Sequence, residues 1–156
     1  MINFTYKDRN FEITKEVIET LVSYKQIKKR YESGGILIAS INKLDYKIEV
    51  NDCTTPVDED KRSFFEFKRS EKHNEILNKK WKESNYKKLY IGEWHTHLQN
   101  TPIPSFQDRI SWKKLMDRSV TDSEYLLFII VGIESLQIWI GDKEKNNIER
   151  GASYRY

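Results

Sequence analysis

Alternating and helical hydrophobic patterns define the elements of the first part of the chain. Apolar residues alternate with polar ones over 2–6, which predicts a short strand that pairs with 10–13. Thr14 has the residue type of a helix N-cap. An apolar stripe with near-helical spacing follows and predicts a helix from 15 to about 30. The residues of this stripe are Val17, Ile18, Leu21, Val22 and Ile27.

The middle of the chain combines one strongly apolar run with polar segments. The run over 36–41 predicts a central strand that is covered on both faces, and a second strand is predicted over 45–50. The polar, turn-rich stretch 51–63 predicts a mobile loop. From 64 to 83 the pattern is mostly helical. The core positions predicted in that helix are Phe67, Ile76, Leu77 and Trp81.

Strand and helix patterns alternate again in the second half. A strand is predicted over 88–97, followed by a helix that begins at Ser105 and ends near Arg118. Two apolar strands are predicted over 125–131 and 136–140. The tail from Asp142 onward is polar, and its pattern specifies its structure only weakly.

This order of elements predicts an α+β (mixed α/β) fold with a central mixed β-sheet flanked by helices. The 156 residues suit one domain, which we place over 1–156. Apolar residues make up 38% of the chain, which is enough for a substantial core at this length.

Charge and cysteine content narrow the function classes. The 27 basic and 24 acidic residues are dispersed and give a net charge of +3, so no nucleic-acid partner is expected. No apolar run approaches the length of a membrane span, and the N-terminus lacks the features of a signal peptide. Cys53 is the single cysteine, which excludes an internal disulfide and fits a reducing compartment. A soluble cytoplasmic protein without a membrane partner is therefore expected.

Two imidazoles, a hydroxyl and a carboxylate lie within the fourteen residues from 95 to 108. His95 and His97 share one face of the predicted strand, because residues i and i+2 of a strand point the same way. Asp108 lies one turn into the next predicted helix and can direct a carboxylate oxygen back to the strand end. Catalytic zinc sites have three protein ligands and one open position. We therefore predict one Zn²⁺ held by His95, His97 and Asp108.

A metal-activated water needs a base that takes its proton and passes it to the leaving amine. Glu32, at the predicted turn before the strand 36–41, is the candidate, and Glu93, on the same strand face as His95, is its rival. The Ser105 hydroxyl could donate a hydrogen bond to the oxyanion that develops. Ser105 and Asp108 also have the spacing of a capping-box variant, and capping and catalysis are compatible.

The remaining candidate residues are assigned structural roles. His73 lies in a charged stretch and is predicted to be a solvated surface residue. Cys53 lies in a polar loop without a neighbouring histidine and is predicted to be an inert thiol. Trp81, Trp94 and Trp112 are predicted to be core residues.

The pattern His-x-His, seven residues, Ser-x-x-Asp, with a Glu before a Gly-Gly apolar strand, resembles the JAMM motif of the JAB/MPN zinc metalloproteases. Glu32, His95, His97, Ser105 and Asp108 match its five positions. The resemblance covers residues from about 10 to 142 and implies a single JAB/MPN-like domain with one zinc ion. It implies that His95, His97 and Asp108 are ligands, Glu32 is the base and Ser105 stabilises the tetrahedral intermediate. Leu98 replaces the usual proline, so the loop 98–104 is expected to be less constrained locally.

The resemblance also implies a substrate class. Family members cleave isopeptide or peptide bonds after the C-terminal tail of ubiquitin or ubiquitin-like proteins. Some bacterial members occur beside E1- and E2-like proteins in antiphage operons of the CBASS type, where they resemble deconjugating enzymes. We therefore expect a ubiquitin-like or otherwise conjugated protein as the partner, bound through an extended tail. The polar loop 51–63 is expected to help hold that tail.

Three alternatives remain open from the sequence. A zinc hydrolase could instead process a sulfur-carrier protein or a small peptide. The chain could be an inactive MPN-like scaffold module, although such a module should lack one of the five motif residues. A RadC-like, DNA-associated protein shares a similar motif, but the dispersed basic residues argue against it.

Overall fold

The computed structural model describes residues 1–156 as three helices packed around one large sheet and one small hairpin. The strands are β1 (Ile2–Tyr6), β2 (Arg9–Ile13), β3 (Gly34–Ile41), β4 (Ile48–Cys53), β5 (Lys61–Arg62), β6 (Phe67–Lys68), β7 (Leu89–Thr96), β8 (Tyr125–Val131), β9 (Ser135–Asp142) and β10 (Asn147–Arg155). The helices are α1 (Lys15–Ser23), α2 (Lys72–Glu83) and α3 (Phe106–Arg118).

The large sheet has eight strands in the order β1-β2-β4-β3-β7-β8-β9-β10. The pairs β2–β4 and β7–β8 are parallel, and all other neighbours are antiparallel. The sheet is therefore mixed, as predicted. Strands β5 and β6 form a separate two-stranded hairpin.

The core lies on both faces of the sheet, which explains the continuous apolar runs in β3 and β8. Leu127, Ile129 and Val131 of β8 face the larger cluster, which includes the buried residues of α1. Their neighbours Leu126, Phe128 and Ile130 face the opposite way and pack with Trp112 and Met116 of α3. Side chains of successive strand residues alternate between faces, so β8 separates the two clusters.

Most of the predicted elements are confirmed. β1 and β2 pair as expected, and the Thr14 side chain accepts a hydrogen bond from the Val17 amide as the N-cap of α1. Strands β3, β7, β8 and β9 and helix α3 lie where the pattern placed them, within two residues at most boundaries. No helix is long and apolar enough to cross a membrane.

The first predicted helix is too long, because α1 ends at Ser23 and not near residue 30. The segment beyond it forms a loop in which Lys28 has a positive φ of 61°. Gln26 is fully buried there and donates to the carbonyls of Arg30 and Phe64. These side-chain bonds hold the segment in a loop, and the one to Phe64 ties it to a distant part of the chain.

The prediction for the segment 45–63 is wrong at both ends. The turn before β4 is longer than predicted, because the Asn42 amide donates to the Lys47 carbonyl and Tyr46 has a positive φ. Strand β4 therefore runs over Ile48–Cys53 and includes part of the predicted loop. Residues 61–62 also belong to a strand, so within the predicted loop only 54–60 and Ser63 lack regular structure.

Only the second half of the predicted helix 64–83 is helical, as α2. The first half of that stretch contains β6. Three of the four predicted core positions, Phe67, Ile76 and Leu77, are only partly buried. Trp81 is 37% exposed, so its assignment to the core is wrong, whereas Trp94 and Trp112 are buried. The tail, whose structure the sequence specified only weakly, forms β10, which pairs with β9 along Asn147–Arg155.

Candidate functional site

The two predicted imidazole ligands lie at the end of β7, a central strand. His95 pairs with Gly34 of β3 on one side and with Ile130 of β8 on the other. The two Nε2 atoms of His95 and His97 lie 3.1 Å apart, so both rings point at one position. The Trp112 ring packs 6.3 Å from the His95 ring, centroid to centroid, and helps to fix its orientation.

Asp108 completes this cluster from the first turn of α3. Its Oδ1 lies 3.3 Å from Nε2 of His95, and its Oδ2 lies 3.1 Å from Nε2 of His97. The predicted capping box is also present, because the Ser105 amide donates to Asp108 Oδ2 and the Asp108 amide donates to Ser105 Oγ. The helix cap therefore aims the carboxylate at the two imidazoles.

The spacing of these three side chains fits a zinc ion. Ligand atoms about 2.0–2.1 Å from a tetrahedral ion lie about 3.3 Å from one another. The Nε2 atoms of His95 and His97 lie 3.1 Å apart, and each lies 3.1–3.3 Å from the nearer of the two Asp108 carboxylate oxygens. The donor set, two imidazole nitrogens and one carboxylate oxygen, is also one that zinc accepts.

Electrostatics tie the carboxylate and the imidazoles together. Burial opposes ionisation of Asp108, but hydrogen bonds from His95 and His97 outweigh it and hold the pKa of Asp108 well below its usual range. Burial alone would lower the pKa of His97. The hydrogen bond to Asp108 and the charge of that carboxylate outweigh burial, so the pKa of His97 is raised. The Asp108 carboxylate therefore attracts the His97 imidazole, and each group stabilises the charged form of the other.

Glu32, just before β3, also lies beside the two imidazoles. Its side chain is buried, and its carboxylate lies with the His95 and His97 nitrogens in a group whose atoms are all within 4.8 Å of one another. Burial raises the pKa of Glu32 to about 7, although the two histidines pull it down. A carboxyl with that pKa can both take and give a proton at neutral pH.

Glu93, the rival base, has a different partner. Its carboxylate accepts a hydrogen bond from Arg69 at 2.8 Å, and it does not belong to the group of Glu32, His95 and His97. The structure therefore brings Glu32, and not Glu93, next to both imidazoles.

These groups lie in a groove with a volume of about 730 Å³. The segment Phe64–Arg69 lines one part of this groove and forms a wall of it, and residues of β7 and α3 also line it. Phe65 and Leu98 are exposed at the rim, with 85% and 48% of their surface accessible. An open groove with apolar side chains at its rim is suited to a polypeptide substrate.

The loop behind Leu98 is held in place despite the missing proline. The Gln99 side chain accepts a hydrogen bond from the Ile103 amide and lies 3.1 Å from Nδ1 of His97. The backbone carbonyls of Gln99 and Asn100 accept from Ile133 and Glu134. Gln99 thus constrains both the loop and the ring of His97, a predicted ligand, through the Nδ1 atom of that ring.

His73 is not the surface residue that its charged neighbourhood predicted. It is fully buried and contacts Thr54 and Asp60 through its two ring nitrogens. The charged stretch of sequence carried no sign of this, because both partners lie outside α2. Cys53 is half-buried, and burial raises the pKa of its thiol to about 11, which agrees with the inert role predicted for it.

Arg62 is a residue of the site that the sequence analysis missed. Its guanidinium donates to the Glu32 carbonyl at 2.9 Å and to Ser33 Oγ at 2.7 Å. The two partners lie about thirty residues upstream, so no local pattern could reveal the contact.

Comparison with known proteins matches residues 14–144 to a family described as prokaryotic homologs of the JAB domain. A protein of Vibrio cholerae named CD-NTase/cGAS isopeptidase is 32% identical over 152 residues, covering 94% of this chain and 92% of that protein. One of Escherichia coli with the same name is 33% identical over 145 residues, covering 92% and 88%.

A solved structure shares the fold at low sequence identity. The solution structure of protein DSY2949 from Desulfitobacterium hafniense superposes with a TM-score of 0.61 at 16% identity. The match covers 90% of this chain and 88% of that one. It supports the architecture described above.

Proposed function

The chain belongs to the family of prokaryotic homologs of the JAB domain, and on that premise we propose that it is a zinc-dependent isopeptidase. The observation that carries the proposal is the convergence of His95, His97 and Asp108 at ligand spacing, with the buried Glu32 beside them. Relatives of similar length that are 32–33% identical carry the name CD-NTase/cGAS isopeptidase.

The four groups have distinct roles in this proposal. His95, His97 and Asp108 hold the ion, which when bound supplies Lewis acidity toward a water and a carbonyl oxygen. Glu32 takes a proton from the attacking water and delivers it to the amine that leaves. Its pKa of about 7 suits both transfers at neutral pH.

Ser105 combines its structural role with a catalytic one. Its Oγ accepts the Asp108 amide as the helix cap, which occupies a lone pair and leaves the hydroxyl proton free. We assign that proton to the oxyanion that develops on the scissile carbonyl. One such donor contributes about 3–4 kcal/mol to transition-state stabilisation in other hydrolases.

The substrate we propose is a protein joined through its C-terminal tail to an amine, with a conjugated CD-NTase as the first candidate because the relatives are named for it. The tail would lie extended in the groove against the wall Phe64–Arg69. This wall takes over the holding role that the sequence suggested for the loop 51–63. E1- and E2-like proteins would make the conjugate in the cytoplasm, a reducing compartment that suits the single thiol Cys53.

The proposal is tested with a conjugate in which a CD-NTase C-terminal tail is joined to a lysine side chain of a reporter peptide. The wild-type protein should release the reporter, lose activity with a zinc chelator and regain it with added Zn²⁺. Glu32→Gln should lower kcat by more than about a hundredfold with zinc content unchanged, because the base is lost and the ligands are not.

Two variants complete that experiment. Elemental analysis should show that Asp108→Ala has lost zinc. Glu93→Gln removes another carboxylate of the same groove and should keep both zinc and most activity. Loss of zinc in Glu32→Gln with retention in Asp108→Ala would reverse the two assignments. Full activity after complete removal of metal would refute the zinc mechanism.

A further inference from the structure

A second cluster of buried polar side chains lies outside the metal centre and consists of Thr54, Asp60 and His73. The Thr54 Oγ1 lies 2.6 Å from Nδ1 of His73, and Nε2 of His73 lies 2.9 Å from Asp60 Oδ2. The side chains of Asp60 and His73 are completely buried, and Thr54 is 3% exposed. Burying three polar side chains costs free energy, so such a cluster is expected to serve a functional or a structural role. We call these three residues the clasp.

The clasp has the order of a hydrolase triad, carboxylate, imidazole and hydroxyl, but its hydroxyl is not available as a nucleophile. The Thr54 Oγ1 is buried and accepts a hydrogen bond from the Ile36 amide at 2.8 Å. The role of the clasp therefore follows from the chain segments that it connects.

On one side, the clasp connects to the hairpin β5–β6. Only two residue pairs join these strands, Lys61 with Lys68 and Arg62 with Phe67, and so short a hairpin has little stability of its own. The Asp60 carboxylate accepts the amides of Val57 and Ser70 at 2.8 Å in addition to His73. It therefore joins the two chain segments that enter and leave the hairpin.

On the other side, the clasp connects to the strands that carry the catalytic groups. Thr54 holds the Ile36 amide of β3, and its backbone carbonyl accepts the indole N–H of Trp94 in β7 at 2.9 Å. The packing is tight, because a Cβ added to Gly35 would lie 2.1 Å from the Thr54 carbonyl oxygen. The base of the hairpin is thus fixed relative to β3 and β7.

The hairpin in turn holds Glu32 through its backbone. The Glu32 amide donates to the Ser63 carbonyl at 2.7 Å, and the Glu32 carbonyl accepts from Arg62 Nε at 2.9 Å. Both backbone groups of the proposed base are therefore bound by the hairpin. The segment that follows, Phe64–Arg69, is also a wall of the groove.

We infer that the clasp is a positioning device for catalysis: Thr54, Asp60 and His73 fix the hairpin β5–β6, which places Glu32 and one wall of the groove relative to His95. The inference deepens the proposed function, on which the role of Glu32 rests. Asp60 and His73 are positioning residues and do not touch the substrate.

The inference predicts effects that a general loss of stability would not produce. His73→Ala should speed amide hydrogen exchange over 57–70 and at Glu32, while the amides of β8 and β9 stay protected at a temperature well below unfolding. Zinc content should be unchanged. With the tailed conjugate, kcat should fall about ten- to a hundredfold and KM should rise, because both the base and the groove wall are misplaced.

Two further variants test whether a general folding defect explains the effects of His73→Ala. His73→Gln can still donate to Asp60 and should show a smaller effect of the same kind. Arg62→Ala lies at the surface, leaves the clasp intact and should loosen Glu32 while Val57 and Ser70 stay protected.

Asp52→Ala is the matched control, because Asp52 binds Lys80 of α2 and Lys88 at 2.8 Å without touching the hairpin. It should lower the melting temperature without changing exchange at Glu32, kcat or KM. Unchanged exchange at 57–70 and Glu32 in His73→Ala, or equal acceleration throughout the protein, would overturn the inference. Failure of the wild-type protein to cleave any conjugate would refute the proposed function instead, and the exchange measurements would still decide whether the clasp holds Glu32.

Discussion

At the scale of single residues, the site depends on side chains that each satisfy two requirements. The Asp108 carboxylate accepts the Ser105 amide in the capping box and also faces both imidazoles. Ser105 caps α3 through its oxygen and keeps its hydroxyl proton for another acceptor. The capping role and the proposed catalytic role therefore require the same residue types at these positions.

Ser105→Ala separates the two roles of the serine. Loss of the cap should lower the free energy of unfolding by about 1 kcal/mol, measured by urea denaturation. Loss of the hydroxyl should lower kcat about a hundredfold or more with the tailed conjugate. Ser105→Thr keeps the hydroxyl and the cap, and we expect it to remain within a few-fold of the wild-type rate. An alanine variant with undiminished kcat would leave Ser105 only as a cap.

At the scale of elements, β7 decides where the histidines point. The register of β3 against β7 shifts between Leu37 and Ile38, whose partners are Gly92 and Tyr90, so Ile91 is an extra residue in β7. Such a bulge changes which side chains of a strand face the site. Gly92, beside it, has a φ of +149°, a conformation that residues with a side chain rarely adopt.

Gly92→Ala should be strongly destabilising for two reasons. The backbone conformation is unfavourable for alanine, and the added Cβ would lie 1.8 Å from the Leu127 carbonyl oxygen of β8. We expect a loss of more than about 3 kcal/mol in the free energy of unfolding. Gly151→Ala is the control, because its Cβ would approach closely only the flexible end of Ile140, with the Phe4 ring at an ordinary contact distance of 3.4 Å. Similar melting temperatures for both variants would contradict this account of β7.

At the scale of the whole molecule, the sheet is curved so strongly that its two edge strands, β1 and β10, come into contact. Strands β1 and β10 are the outermost of the eight, yet the Tyr6 hydroxyl donates to Glu149 of β10 at 2.8 Å. Lys7, in the turn after β1, pairs with Asp142 of β9 at 2.7 Å. The larger core is enclosed between the faces that this curvature brings together.

The Lys7–Asp142 pair makes a pH-dependent contribution to this closure. Burial would raise the pKa of Asp142, but the Lys7 ammonium and the Lys145 amide outweigh it, so its pKa is lowered. The contribution is therefore present above the unfolded-state pKa of about 3.9 and is lost as pH falls through the lower folded-state pKa.

Asp142→Asn should accordingly melt at a lower temperature than the wild type at pH 7. The difference should shrink as pH falls below about 4, because protonation of the wild-type carboxyl removes the same interaction. Glu134→Gln, in the exposed pair with Arg155, is the control and should change the melting temperature little at either pH. A difference between Asp142→Asn and wild type that grows in acid would contradict the assigned direction of the pKa shift.

Much of the site could be predicted because its parts are local in sequence. His95 and His97 are two residues apart on one strand, and Ser105 and Asp108 form a capping box, so periodicity and motif spacing suffice. The strands β3, β7, β8 and β9 were likewise predicted by apolar patterns of period two or by continuous runs. Glu32 was a candidate from its place at the predicted turn before β3 and from the resemblance to a family motif. Nothing local connects it to the histidines, so only the fold shows that it lies beside them.

The tertiary structure alone decided the features that depend on distant partners. His73 is buried because Thr54 and Asp60, nineteen and thirteen residues away, satisfy both of its ring nitrogens. Helix α1 ends at Ser23 because the loop after it buries Gln26. The last strand, β10, forms because β9 offers it a pairing edge. Local patterns report the preferences of a segment, whereas hydrogen bonds to remote residues determine which segments give up those preferences.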